Sequence, residues 1–196
     1  MNSKLGAILI TNQNQMHLNS ISNRICIRNL KDSDLNDFFS YRSNPEITKY
    51  QGFDTMTIGQ CKDFIDSQKD MQFGKAGEWV QYAIEDLESN RLIGDCAIKL
   101  DDYDVRIAQI GITISPEFQQ KGYAKETMKT ILDFLFSIED FHRVVEIVDA
   151  ENVASIQLLE SLGFKKEGHF VENIFLKGKW GSEFQYAMLK SEYNNE

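Results

Sequence analysis

Apolar side chains recur along this chain with two periods, and the switches between them mark its elements. Residues 24–30 alternate, with Ile25 and Ile27 on one face, which predicts a strand. The period then lengthens. Asp32 can cap a helix whose apolar positions are Leu35, Phe38 and Phe39. Residues 44–53 read as a loop in which Pro45 breaks any helix. Thr57 and Gln60 fit a capping box ahead of a helix that places Ile58, Cys61, Phe64 and Ile65 on one face. Strand patterns return over 78–86, 91–100 and 108–114, which predicts an antiparallel meander with a polar turn at 87–90.

The second half reads strand, turn, helix, strand, helix, hairpin. A helix from Gly122 to about Ile138 carries the stripe Met128, Ile131, Leu132, Leu135 and Phe136. Residues 143–149 are a nearly continuous apolar run, the pattern of a buried strand. The helix that follows stops at Gly163, suited to a left-handed C-terminal cap. Residues 168–176 and 182–190 close the chain as a hairpin. This order predicts an α+β fold, layered in the α/β manner, with helices packed on a mixed sheet. With 196 residues, 42% of them hydrophobic, the chain suits one domain over 24–192, and no linker interrupts it. Residues 1–23 read as an N-terminal extension, with Met16 as an alternative start. The run Leu5–Ile10 is too short to span a membrane and lacks the basic flank of a signal peptide.

Charge narrows the partners. A net charge of −9 argues against a nucleic-acid footprint, which needs clustered Lys and Arg. An acidic surface suits cationic partners such as amines, polyamines and basic protein termini. The three cysteines, Cys26, Cys61 and Cys96, are far apart and have no histidine nearby. That pattern argues against zinc and against a disulfide framework, and for a reducing, cytoplasmic compartment.

Within an acidic chain the turn Gln119-Gln120-Lys121-Gly122-Tyr123-Ala124 stands out. It joins a strand to a helix N-terminus, where unpaired N–H groups and the helix dipole attract anions. Gly122 lets a ligand approach the backbone closely, Ala124 keeps the first helical turn small, and Lys121 and Lys125 add positive charge. The turn fits a phosphate or pyrophosphate. No Gly-Lys-Ser/Thr follows to hold magnesium, and no Gly-x-Gly-x-x-Gly is present.

The combination of this turn, Gln119-x-x-Gly122-x-Ala124, with the segment from Asn152 through Ser155 to Leu162-Gly163-Phe164 resembles the GNAT superfamily of acetyl-CoA-dependent N-acetyltransferases. The closing segment 172–189 resembles the Rim-type branch, named for ribosomal-protein N-terminal acetyltransferases. The resemblance covers residues 24–192 and implies a mixed central sheet of about six to seven strands flanked by helices. It implies that the backbone of Ile112, Thr113 and Ile114 pairs with the pantetheine arm of acetyl-CoA like another strand. Gln119, Gln120, Lys121, Gly122, Tyr123, Ala124 and Lys125 would wrap the pyrophosphate. Asn152 would bind near the pantetheine and Ser155 would lie close to the sulfur; helix capping suits both residue types as well.

Acetyl transfer needs a neutral amine, an oxyanion donor and a leaving thiolate. A free N–H near Ile112 can serve as the donor, and the resemblance implies a bulge that frees it. An α-amine with a pKa near 8 is about a tenth neutral at pH 7, against about one lysine in 2,500, so a protein α-amine needs less help from a base. Many members of the superfamily carry an acidic tyrosine where this chain has Leu159, which leaves Ser155 as the general acid. Glu146 and Glu172 are the candidate bases, and Phe38, Tyr41, Trp79 and Trp180 can line an acceptor cleft or fill the core. His17, His142 and His169 are scattered and read as structural or exposed. The favoured acceptor is therefore a protein N-terminal α-amine, with a small amine or polyamine as the second choice; the assembly is a monomer or homodimer, and no metal is called for. The alternatives are a non-catalytic acyl-CoA-binding or sensing module, motivated by Leu159, and an ATP-binding protein.

Overall fold

The computed structural model describes residues 18–138 and 140–193. Strands β1 (Ser20–Ile21), β2 (Ile25–Asn29), β3 (Trp79–Asp86), β4 (Leu92–Leu100), β5 (Ile107–Ile114), β6 (Arg143–Asp149), β7 (Lys165–Leu176) and β8 (Lys179–Leu189) form one sheet. Their order is β1-β2-β3-β4-β5-β6-β8-β7. Only the β5–β6 pair is parallel, so the sheet is mixed. The expected strands are all present. The eighth is β1, from the segment read as an extension; it pairs with Cys26 and Ile27, beside a fully buried Leu18. Leu5–Ile10, Met16 and His17, read above from the sequence, lie outside the described residues.

Alternation along β3 divides the core. Val80, Tyr82 and Ile84 join the large cluster that holds α4 (Tyr123–Ser137), with its predicted stripe Met128, Ile131, Leu132, Leu135 and Phe136. Ala83 turns the other way, onto α1 (Leu35–Arg42) and α3 (Ile58–Gln68), through Phe38, Tyr41, Cys61 and Ile65. Each fully buried aliphatic side chain contributes about 1.5–3 kcal/mol. The Thr57–Gln60 capping box starts α3, and Gly163 ends α5 (Val153–Ser161) at a φ of 84°.

Three expectations change. The acid at the start of α1 is Asp34 rather than Asp32. Residues Asp32–Asp34 form a 3₁₀ turn, and the Asp34 carboxylate accepts from the Lys31 N–H (2.9 Å) and from Arg28 (2.7 and 2.8 Å), while Asp32 points outward to Lys69. Pro45 opens a short helix, α2 (Pro45–Thr48), because its missing N–H is not needed at a first helical position, and Asn44 caps it by accepting from the Glu46 N–H (3.0 Å). β6 is buried on one face only: Val144, Glu146 and Val148 point inward, whereas Ile147 is 39% exposed.

Candidate active site

The turn after β5 is built from backbone. A 3₁₀ turn (Pro116–Phe118) is followed by Gln119 in extended conformation, then Gln120 at φ 59° and Gly122 at φ 83°. Two left-handed residues so close together occur in the backbone pattern that anion-binding nests use. Among the described residues, no acceptor meets the N–H groups of Gln120, Lys121, Gly122, Tyr123, Ala124 or Lys125; the first satisfied amide is Glu126, which donates to the Gly122 carbonyl (3.0 Å). The Gln119 N–H is already spent on Pro116, and its side-chain amide donates to the Ile114 carbonyl (2.9 Å), bolting the turn to the strand end. Lys121 lies over the Phe118 ring, the Tyr123 hydroxyl donates to Asp86 (3.0 Å), and Lys125 reaches the Ser161 carbonyl at the end of α5.

Beside the turn the sheet opens. β5 pairs with β4 in unbroken register from Leu100↔Ala108 to Gly94↔Ile114, so β5 carries no bulge. Against β6 it pairs only at Ile107↔Arg143 and Ala108↔Val144. Glu146 fills the wedge where the strands part, its Oε1 accepting from the Ile110 N–H (2.9 Å). Burial pushes this carboxyl well above the usual range, against the lowering effect of that one hydrogen bond. Strand alternation then turns the Ile112 N–H and C=O to the same open edge, with no partner from β6. Thus the donor expected near Ile112 is present, freed by strand divergence.

Asn152 caps α5 by accepting from the Ser155 N–H (3.2 Å). Among the described residues its amide nitrogen and the Ser155 hydroxyl have no partner, and both side chains are half-buried. Leu159 is buried in the core, so no phenol occupies that position.

A cleft of about 820 Å³ adjoins Gly111, Ile112 and Thr113. Its other walls come from the segment 51–56, from α3, and from Trp79, Gln81, Asp95 and Ala97. Asp95 is fully buried in the floor and saturated: it accepts from Tyr41 (2.6 Å), from Arg42 twice (3.0 and 2.6 Å) and from Gln81 (2.6 Å). Burial, then Asp95, holds the Tyr41 phenol well above its ordinary value. Arg42 stacks on Phe53 (4.3 Å) and its carbonyl accepts from the Met56 N–H (3.0 Å), which ties the floor to the wall. Of the four aromatics proposed for the cleft, Trp79 lines it, Phe38 and Tyr41 are core, and Trp180 is exposed on the β7–β8 hairpin against Phe175. Asp95, Arg42 and Gln81 escape the sequence reading, although an aspartate inside the apolar run of β4 is the kind of anomaly that marks a paired charge.

Glu172 sits at φ 47° in an irregular stretch of β7, exposed, its N–H donating to Ser182. His169 packs edge-on against Phe184, and His142 is exposed. Among the described residues no cluster of three metal-ligating side chains occurs, and no helix is long and apolar enough to cross a membrane.

Comparison with known proteins agrees with this geometry. Residues 24–165 match the acetyltransferase (GNAT) domain family. The uncharacterized N-acetyltransferase p20 of Bacillus licheniformis is 30% identical over 171 residues, covering 87% of this chain and 95% of that protein. The spermidine N(1)-acetyltransferase of Vibrio cholerae is 28% identical over 181 residues, 89% of this chain and 98% of that one. A crystal structure of spermidine N-acetyltransferase from Vibrio cholerae in complex with CoA and spermine superposes with a TM-score of 0.73 at 27% identity, over 87% of this chain and 98% of that chain. Matched by the family over well more than half its length, the chain belongs to the GNAT family and is an N-acetyltransferase that uses acetyl-CoA.

Proposed function

We propose that this enzyme acetylates a small cationic amine of the polyamine class, bound in the cleft beside Ile112. The carrying observation is the charge of that cleft: Asp54, Asp63 and Asp95 face a single Arg42, and Arg42 is spent on Asp95. Asp63 has no ion pair or hydrogen bond among the described residues, and Asp54 has only a distant contact with Lys177 (3.9 Å). Two carboxylates are thus free to hold ammonium groups while a third amine sits at the acetyl donor. The spermidine acetyltransferases among the relatives support the same class.

Acetyl-CoA supplies the activated acetyl group as a thioester. The amides of Gln120 to Lys125 hold its pyrophosphate, with Gln119 as the bolt behind them. The edge of β5 from Ile112 to Ile114 receives the pantetheine arm, and the Ile112 N–H donates to the thioester oxygen. Asn152 offers its free amide to the arm. As the amine nitrogen bonds to the thioester carbon and the C–S bond breaks, the Ser155 hydroxyl gives a proton to the departing thiolate and regains one from the newly acetylated nitrogen. Glu146 keeps the strands apart. The catalytic domain comprises residues 24–192 together with β1 and Leu18 from the segment read as an extension, and three free thiols fit the reducing cytoplasm.

A second reading, a protein α-amine acceptor, draws on the Rim-type character of residues 172–189 and on the lower pKa of α-amines. Free-thiol release from acetyl-CoA separates the two, with spermidine, free-N-terminal peptides, amino sugars and amino acids as acceptors. Turnover highest with spermidine, and falling about tenfold or more in Ser155→Ala, is expected. Turnover confined to peptides would replace the polyamine reading.

A further inference from the structure

Arg24 reaches the pyrophosphate turn from 97 residues away in the sequence. Its Nη1 donates to the Lys121 carbonyl (3.0 Å), within the run of free amides. Its Nε and Nη2 both meet Glu126 Oε2 (2.7 Å each), and its backbone N–H donates to Glu126 Oε1 (2.9 Å), which also accepts from the Ser22 hydroxyl (2.7 Å). The guanidinium lies 4.3 Å from the centre of the Tyr123 ring, and a Cβ placed on Gly122 would come within 3.4 Å of Nη2. The Arg24 carbonyl is itself anchored by the Leu87 N–H (2.8 Å).

Glu126 is the acidic residue in the first turn of α4, directly after the free amides. Burial alone would raise its carboxyl, but hydrogen bonds from Ser22 and Arg24 outweigh that and hold it below the usual range, so it is ionised. A full negative charge there opposes an incoming pyrophosphate. Tying α4 to the β1–β2 turn would need only the Glu126 contacts. The fork to Lys121 and the approach to Gly122 put the same cation beside the free amides.

We infer that Arg24 is a positioning residue of the coenzyme site: it cancels the Glu126 charge and holds the 120–122 turn in its left-handed form before the pyrophosphate arrives. The inference rests on the reading of that turn as the pyrophosphate site. It concerns the nucleotide end of acetyl-CoA alone, so a donor without pyrophosphate, acetyl-pantetheine, should not sense it.

The test compares Arg24→Met with the unaltered enzyme, using both donors and direct CoA binding. Expected are a rise of about tenfold in Kd for CoA and KM for acetyl-CoA, with kcat within about twofold and kcat/KM for acetyl-pantetheine unaltered. Adding Glu126→Gln should recover part of the lost CoA affinity, since the charge to be cancelled is gone. Equal losses with both donors would show a merely structural arginine and overturn the inference, as would unaltered CoA binding. Gly122→Val separates the two levels. If it weakens CoA binding and Arg24→Met does not, only the role of Arg24 falls; if neither does, the turn is not the pyrophosphate site.

Discussion

The two halves of the proposed active site are made of different material. On the coenzyme side the groups are backbone: six free amides from Gln120 to Lys125 and the open edge of β5. On the acceptor side they are side chains from several elements, with Asp63 from α3, Trp79 from β3, Asp95 from β4 and Asp54 from a loop. A backbone site needs only a particular chain path, so most side chains along it can vary. A side-chain site changes its ligand whenever one residue changes. The family resemblance therefore speaks for the coenzyme, while the acceptor must be read from the cleft.

Asp95 is the residue whose loss should separate the two halves most strongly. Its four hydrogen bonds hold Arg42, and through Arg42 the Phe53 wall. Asp95→Ala leaves a buried guanidinium unpaired and should cost about 3–5 kcal/mol of stability in chemical denaturation. Under conditions where the variant stays folded, acceptor KM should rise while CoA affinity holds. Equal losses of acceptor and CoA binding would mean that the two halves are one mechanical unit.

Glu146 lies at the seam between them, and pH tests it. Its folded pKa is raised, so above pH ~4.3, where the unfolded carboxyl ionises, the folded state holds the extra proton and stability falls as pH rises. The fall is up to about 1.4 kcal/mol per pH unit until the folded value is passed. Glu146→Gln, which can still accept from the Ile110 N–H, should remove this fall. Parallel stability–pH curves for the two proteins would show the carboxyl ionised in the fold.

The finest test is Asp63→Asn. Loss of one ammonium partner should raise KM for spermidine about three- to tenfold at low salt, with kcat and acetyl-CoA KM unaltered, and the gap should shrink as salt rises. An unaltered KM would move the acceptor away from α3.

Legibility followed the same division. The stripe of α4 and the turn at Gly122 could be read because neighbouring residues decide helical periodicity and left-handed backbone. The Asp32 and Pro45 readings went astray where local signals compete: two aspartates share one turn, and proline both breaks and opens helices. The divergence of β5 from β6 was inaccessible, since it depends on Glu146 meeting a strand 36 residues away in sequence.

The sequence by itself determined the order of elements, the left-handed turn ahead of α4 and the coenzyme class, because each is encoded within a few residues. Only the tertiary structure decided that Arg24 braces a turn 97 residues distant, that Arg42 and Asp95 neutralise each other under the cleft, and that Asp63 is left free. Those facts depend on which distant side chains packing brings together, and no local pattern carries that information.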